Sequence, residues 1–89
     1  MVWRIEFDEA AKRELARLDR VVARRIVSFL RDRLAVAENP RELGQALKGK
    51  ELGSFWKYRV GDYRIIASIE DANITILVLR IGHRRDVYR

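Results

Sequence analysis

The sequence contains no cysteine, one proline and one histidine among its 89 residues. Without cysteine, neither a disulfide scaffold nor a thiolate metal site is possible. The first ten residues, MVWRIEFDEA, contain no long apolar run, so we predict neither a signal peptide nor a membrane-spanning segment. A cytoplasmic location is then the default expectation. The length suits one domain, residues 1–89, with a modest apolar core.

Charge of one sign dominates. The chain has 19 Lys and Arg against 13 Asp and Glu, a formal net charge of +6, and Arg is strongly preferred over Lys. The planar fork of Arg suits phosphate and carboxylate groups better than a lysine ammonium does. The balance favours a polyanionic partner, either nucleic acid or an acidic protein, and composition alone leaves both open.

The first half of the chain reads as a strand followed by two helices. Residues 2–7 alternate between apolar and charged, which predicts a half-buried strand. Asp8 is a suitable N-cap for a first helix, and Asp19 for a second helix from about Arg20 to Ala37. We expect the two helices to form an antiparallel hairpin that packs on a sheet.

The second half reads as a loop and three strands. Residues 38–53 include Asn39-Pro40 and three glycines, which are typical of a loop. Strands are predicted at about 54–60, 63–69 and 73–81, and the last is the most apolar. The order β-α-α-β-β-β predicts an α+β fold with a four-stranded sheet in which the last three strands are antiparallel.

The segment WKYRVGDYRI indicates a tight hairpin, because Gly61-Asp62 lies between two apolar-rich runs. This turn pairs Arg59 with Arg64, and Lys57 with Ile66. Like charges opposite each other on one face of a sheet cost about 0.2–1 kcal/mol. Such a cost is expected where an anion binds or where a nearby carboxylate cancels the charge.

Alternation along the predicted strands separates two faces of the sheet. The more apolar face meets the helices, and the other carries the cations of the hairpin beside an apolar strip. We expect this strip to bind a partner, because no helix remains to cover it. Its residues are Thr75, Leu77, Leu79 and Ile81.

The tail GHRRDVYR follows the last strand and adds cations and an aromatic ring. Arginines around an aromatic residue are typical of surfaces that hold phosphates and stack bases. Taken singly, His83 and Tyr88 are equally compatible with ordinary structural roles. The predicted RNA-binding residues of the tail and of the loop are His83, Arg85, Arg89, Lys48 and Lys50.

The sequence resembles the RelE branch of the RelE/ParE toxin superfamily of bacterial and archaeal toxin–antitoxin pairs. The likeness covers nearly the whole chain and runs through NP…LKGKELGSFWKYRVGDYRIIASI…VLRIGHRRDVYR. Its most specific parts are the hairpin ending in R-x-G-D-Y-R and the closing G-H/K-R-x-x-x-Y. The resemblance implies the β-α-α-β-β-β fold and a cognate antitoxin that wraps around the toxin.

The resemblance also implies an activity: metal-independent cleavage of messenger RNA in the ribosomal A site, with no cofactor. In that chemistry the ribose 2′-hydroxyl attacks its own phosphate, leaving a 2′,3′-cyclic phosphate and a 5′-hydroxyl. The residues at the family's active-site positions are Lys57, Arg59, Arg64, Arg84 and Tyr88. The resemblance further implies a toxin–antitoxin complex that binds operator DNA through the antitoxin.

Two alternatives remain at this point. A ParE-like toxin of the same fold would inhibit DNA gyrase, and its hairpin would look the same. A non-enzymatic module would serve antitoxin pairing alone. Arg84 and Tyr88 favour the nuclease, because a gyrase inhibitor has no need of a catalytic tyrosine in the tail.

Overall fold

The computed structural model describes residues 2–47 and 55–87, which form two α-helices and a mixed five-stranded sheet. The strand order is β1-β5-β4-β3-β2, with β1 parallel to β5 and the other neighbours antiparallel. The predicted α+β class and the antiparallel pairing of the last three strands are confirmed. The elements are β1 Arg4–Phe7, α1 Glu9–Arg17, α2 Arg20–Phe29, β2 Gln45–Ala46, β3 Phe55–Val60, β4 Tyr63–Glu70 and β5 Thr75–His83.

Both helices begin at the predicted aspartates. The Asp8 and Asp19 side chains each accept a hydrogen bond from a backbone N–H of the first turn, at 3.3 and 3.0 Å. The second helix ends earlier than predicted. Its α-helical part stops at Phe29, and a π-helical turn, Leu30–Leu34, continues it, so the prediction of one helix to Ala37 is wrong at its C-terminal end. Within the described residues, no helix is long and apolar enough to cross a membrane.

The core lies between the helices and one face of the sheet, as the alternation predicted. Every strand but the short β2 contributes to it, and the helices add their apolar stripes. Its buried members are Trp3, Ala11, Ile26, Leu30, Leu34, Tyr58, Ile65, Ala67, Ile76, Val78 and Ile81. The opposite face receives no helix from the described chain.

The fifth strand was not predicted. Part of the expected loop forms a 3-10 turn, Pro40–Leu43, and then β2, which pairs with the outer edge of β3 so that Gln45 lies opposite Lys57. The Tyr58 hydroxyl donates a hydrogen bond to the Pro40 carbonyl at 2.8 Å and fixes this return of the chain. Pairing supplies hydrogen-bond partners to an otherwise free sheet edge, which is why the segment is not an open loop.

A bulge interrupts the pairing of β4 with β5. Val78 lies opposite Ala67 and Arg80 lies opposite Ile66, so Leu79 is an extra residue with no partner across the ladder. Side chains beyond the bulge therefore face the opposite way from what uninterrupted alternation predicts.

The bulge overturns one predicted partner-binding residue. Ile81 lies opposite Ile65 and is 1% exposed within the core, so its predicted place on the open face is wrong. Thr75 is also buried, at 3% exposed. Leu77 and Leu79 are half-buried, and Leu77 lies opposite Ser68 on the face away from the helices.

Candidate functional site

The β3–β4 hairpin brings two arginines side by side. Arg59 lies opposite Arg64, and Gly61 in the connecting turn has φ +59°, a left-handed conformation that glycine adopts without strain. The predicted register is confirmed, including Lys57 opposite Ile66. Three cationic residues therefore lie on one face of one hairpin.

These cations line a cleft of about 440 Å³. Lys57, Arg59 and Arg64 form one side, and the other side comes from the segment that was predicted to be loop, Glu42–Gln45. The segment approaches so closely that a Cβ on Gly44 would lie 2.7 Å from the Lys57 carbonyl oxygen and 2.7 Å from the Tyr58 ring. The cleft thus requires glycine at this position, and the sequence signal was Gly44, the first of three glycines after Asn39-Pro40.

Arg64 is held in a fixed orientation at the edge of the cleft. Its Nη1 donates hydrogen bonds to the carbonyls of Gly61 at 3.0 Å and Tyr63 at 2.9 Å. A guanidinium has five N–H donors, so Nε and Nη2 keep three donors for an anion. This arrangement suits bidentate contact with a phosphate or carboxylate.

Among the described residues, no carboxylate lies within ion-pair distance of Lys57, Arg59 or Arg64. Glu42 lines the same cleft without forming an ion pair there. The adjacent positive charges are therefore not cancelled inside the described chain.

Tyr58 lies next to the cleft, but its side chain is buried and its hydroxyl is already hydrogen-bonded. It is 1% exposed, its ring packs near Phe29 with centroids 6.0 Å apart, and burial raises its pKa to about 12, against a smaller lowering by the Arg41 charge. Its hydroxyl is committed to Pro40. Tyr58 therefore supports the cleft wall.

The tail folds back towards the hairpin. The Arg84 backbone N–H donates to the Asp62 carbonyl at 2.8 Å, and the Val87 N–H donates to the His83 carbonyl at 3.0 Å. Val87 is 2% exposed and packs against Gly82, the residue opposite Arg64 in β5. The last described residue is thus seated on the same face as Arg64.

His83 makes two local contacts. Its Nδ1 accepts a hydrogen bond from the Arg85 N–H at 3.2 Å, so the neutral ring carries its proton on Nε2. Its ring meets Tyr63 edge to face, with centroids 5.5 Å apart. The side chains of Arg84 and Arg85 are exposed beside it. The predicted residues Lys48, Lys50, Tyr88 and Arg89 lie outside the described part of the chain.

Comparison with known proteins identifies the family. Residues 5–88 match the model of the ParE toxin of the type II toxin–antitoxin system parDE. The chain is 32% identical over 89 residues to toxin RelG of Mycobacterium tuberculosis, covering 100% of this chain and 99% of the relative. It belongs to the RelE/ParE superfamily of type II toxins.

Other relatives of this toxin agree with that assignment. Toxin RelE of Mycobacterium tuberculosis is 30% identical over 87 residues, covering 98% of this chain and 87% of the relative. The toxin–antitoxin complex RelBE2 of the same organism matches with a TM-score of 0.85 at 28% identity, covering 97% and 95% of the two chains. The archaeal RelE–RelB complex of Pyrococcus horikoshii gives 0.75 at 27% identity, covering 98% and 100%.

Proposed function

We propose that this toxin is a ribosome-dependent messenger RNA endoribonuclease that needs no metal. The observation that carries the proposal is the cleft in which Arg59 and Arg64 lie side by side near Lys57, with no ion-paired carboxylate among the described residues. The curated relatives are named RelG and RelE, and their sequences align over nearly the whole chain. The ribosome as site of action implies a cytoplasmic location.

The chemistry is internal attack of a ribose 2′-oxygen on the adjacent phosphorus. The P–O2′ bond forms, the P–O5′ bond breaks, and a 2′,3′-cyclic phosphate and a 5′-hydroxyl result. Negative charge accumulates on the non-bridging oxygens, and fixed cations at those oxygens are a large catalytic term. The free donors of Arg64, with Arg59 opposite, supply that charge.

Proton transfer requires a base at the 2′-hydroxyl and an acid at the 5′-oxygen. Lys57 in the cleft and Tyr88 are the candidate bases, and Arg84 stabilises the leaving oxygen. His83 keeps Nε2 for proton transfer, since Nδ1 is bonded to the Arg85 N–H. One histidine cannot serve as both acid and base, so catalysis depends on positioning, which we assign to the ribosome.

We expect a cognate antitoxin to hold the toxin inactive. Two similar structures are toxin–antitoxin complexes, and two half-buried leucines lie in β5, Leu77 on the face without helices and Leu79 at the bulge. An acidic and apolar segment would cover these leucines and neutralise Arg64 or Arg84. The complex would bind operator DNA through the antitoxin. Copurification with the product of the neighbouring reading frame tests this, and failure to copurify at low salt contradicts it.

Inhibition of DNA gyrase is the second candidate function. The observation that favours it is the matching family model, which describes a ParE toxin. A gyrase inhibitor would induce a DNA-damage response in cells, and Arg84→Ala or Tyr88→Phe would leave its toxicity intact. The nuclease would lose its toxicity with either change.

The deciding experiment is primer extension on a defined messenger, with and without ribosomes stalled at a known codon. We expect a cut within the A-site codon that requires the ribosome and is lost in Arg64→Ala. Arg31→Ala is the matched control, because Arg31 is exposed and already paired with Asp32 at 2.9 Å. Absence of any cut, with toxicity retained in cells, would favour gyrase inhibition.

A further inference from the structure

The outer face of α2 and of the π-helical turn that follows it carries a second group of cations, distinct from the cleft. Arg24, Arg25 and Arg33 surround a shallow cavity of about 500 Å³ whose floor includes Phe29 and Val60. We call these three arginines the α2 patch. All three are exposed, and none was predicted as a binding residue from the sequence.

The α2 patch is continuous with the cleft around the hairpin turn. The Arg25 guanidinium lies 3.3 Å from the position that a Gly61 Cβ would take, and Arg64 Nη1 donates to the Gly61 carbonyl. One turn residue therefore separates a cation of the patch from a cation of the cleft. The Asp62 carbonyl of the same turn also accepts a hydrogen bond from the Arg84 backbone N–H of the tail.

The charges of the patch are not neutralised within the described chain. No described carboxylate lies within ion-pair distance of Arg24, Arg25 or Arg33. Asp32 borders the cavity, but it is paired with Arg31. Arg33 stacks over the Phe29 ring, with its Cζ 6.0 Å from the centroid, which orients its fork without using its donors.

We infer that the α2 patch binds the sugar–phosphate backbone of structured ribosomal RNA and thereby holds the cleft against the messenger. The inference rests on the proposed function. Contact with ribosomal RNA would supply the positioning that the cleft requires, because its groups for acid–base catalysis are weak. Arginine forks fit phosphate oxygens, and cations on both sides of one turn suit two RNA segments that meet at an angle. Backbone contacts of this kind position a protein without reading sequence.

The test is equilibrium binding of the purified toxin to ribosomes at several salt concentrations. The double variant Arg24→Gln/Arg25→Gln removes two patch charges. Each lost phosphate contact reduces the slope of log K against log salt by about 0.7–0.9. We therefore expect a slope shallower by roughly 1.5 and binding at least about tenfold weaker at low salt.

The control variant is Arg13→Gln/Arg17→Gln, which removes the same charge from exposed positions of α1. We expect it to bind ribosomes nearly as the wild type does. An equal loss in both double variants would mean that net charge alone drives binding, and unchanged binding in the patch variant would remove the patch from the interface. Both results overturn the inference. Arg33→Gln, on the far side of the cavity, provides an independent variant if the double variant does not fold.

Ribosome binding and messenger cleavage are separate readouts, and each can be lost without the other. Binding is measured without any cut, so a wild type that binds ribosomes through the patch but does not cleave keeps the assignment of the patch to ribosomal RNA and loses the proposed nuclease. Loss of antitoxin copurification in the patch variant, with ribosome binding unchanged, would show a protein interface instead and would overturn the inference. Arg64→Ala should still bind ribosomes while cleavage is lost.

Discussion

Two sets of arginines in this toxin have opposite surroundings. Arg80 makes three hydrogen bonds of 3.0–3.1 Å to the Glu14 carboxylate, and Arg41 makes two, of 3.1 and 2.6 Å, to Asp71. Arg59 and Arg64 lie opposite each other with no described carboxylate in ion-pair range. The paired arginines connect distant parts of the chain, whereas the adjacent ones form no ion pair within the described residues.

The Glu14–Arg80 pair shows what the connecting arginines do. Glu14 also accepts a hydrogen bond from the Ile81 backbone N–H at 2.9 Å, so one carboxylate joins α1 to β5. The contact lies in the part of β5 that follows its pairing with β1, which ends at Val78. Burial tends to raise the pKa of Glu14, but the hydrogen bonds from Arg80 and Ile81 and the nearby positive charge outweigh burial. The pKa of Glu14 therefore lies below its ordinary value of 4.5.

The largest expected effect is a loss of activity, which should follow substitution of an adjacent arginine but not of an ion-paired one. Arg64→Ala should reduce ribosome-dependent cleavage by about 10²–10³-fold, because it removes oriented donors from the accumulating phosphate charge. Thermal unfolding of the purified variant should change little. Arg80→Ala should do the reverse, lowering the unfolding temperature while cleavage below that temperature is preserved. Equal losses of activity in the two variants would contradict the separation of the ion-paired arginines from the adjacent ones.

A substitution at Gly44 tests the close contact between the Glu42–Gln45 segment, which forms one side of the cleft, and strand β3. Gly44→Ala should lower the free energy of unfolding by about 2 kcal/mol, since the new methyl group would overlap the Lys57 carbonyl and the Tyr58 ring. Cleavage should fall as well, because the strand that carries Lys57 must shift. Chemical denaturation and primer extension measure the two effects. Ala46→Gly, an exposed change in β2, is the control for altered backbone freedom.

The Glu14 pair predicts a pH dependence. A depressed carboxyl pKa stabilises the fold above about pH 4.5, and this contribution is lost as pH falls through the folded-state pKa. Glu14→Gln should therefore cost about 1–2 kcal/mol at pH 7, and its difference from the wild type should shrink on acidification. Denaturation at pH 7, 5, 4 and 3 measures this convergence. A constant difference across that range would show that the carboxylate charge contributes nothing.

Tyr58→Phe should have the smallest effect. It removes the hydroxyl that donates to the Pro40 carbonyl and leaves the buried ring in place, so we expect a loss of about 1 kcal/mol in the free energy of unfolding. The shape of the cleft depends on that bond, so cleavage should decrease a few-fold at most. Complete loss of cleavage in a folded variant would assign Tyr58 a direct role in the reaction.

Local patterns were sufficient to predict much of the fold. Alternation in β1, the aspartate caps and the Gly61-Asp62 turn each depend on neighbouring residues, and each was predicted correctly. The pairing of Arg59 with Arg64 followed from the turn alone. Of the residues predicted to be catalytic, Lys57, Arg59 and Arg64 share the cleft, and their catalytic role stays a prediction.

The features that were missed depend on contacts between distant segments. The pairing of β2 with β3, the joining of Glu14 to Arg80 and the position of Arg25 against Gly61 have no local signature. The bulge did leave a trace. The core residues of β5 are Ile76, Val78 and Ile81, and the step of three in that series breaks the period of two. Reading that step would have placed Ile81 correctly.

The bulge also bears on how this strand tolerates changes in length. Elsewhere in β5, inserting or deleting one residue would exchange the buried and exposed sides of everything beyond it. Removing Leu79 would instead leave Val78 opposite Ala67 and Arg80 opposite Ile66, with both flanking halves facing as they do now. At this one point we expect the strand to tolerate the loss of one residue, so a relative that is one residue shorter here can keep the same core and the same cleft.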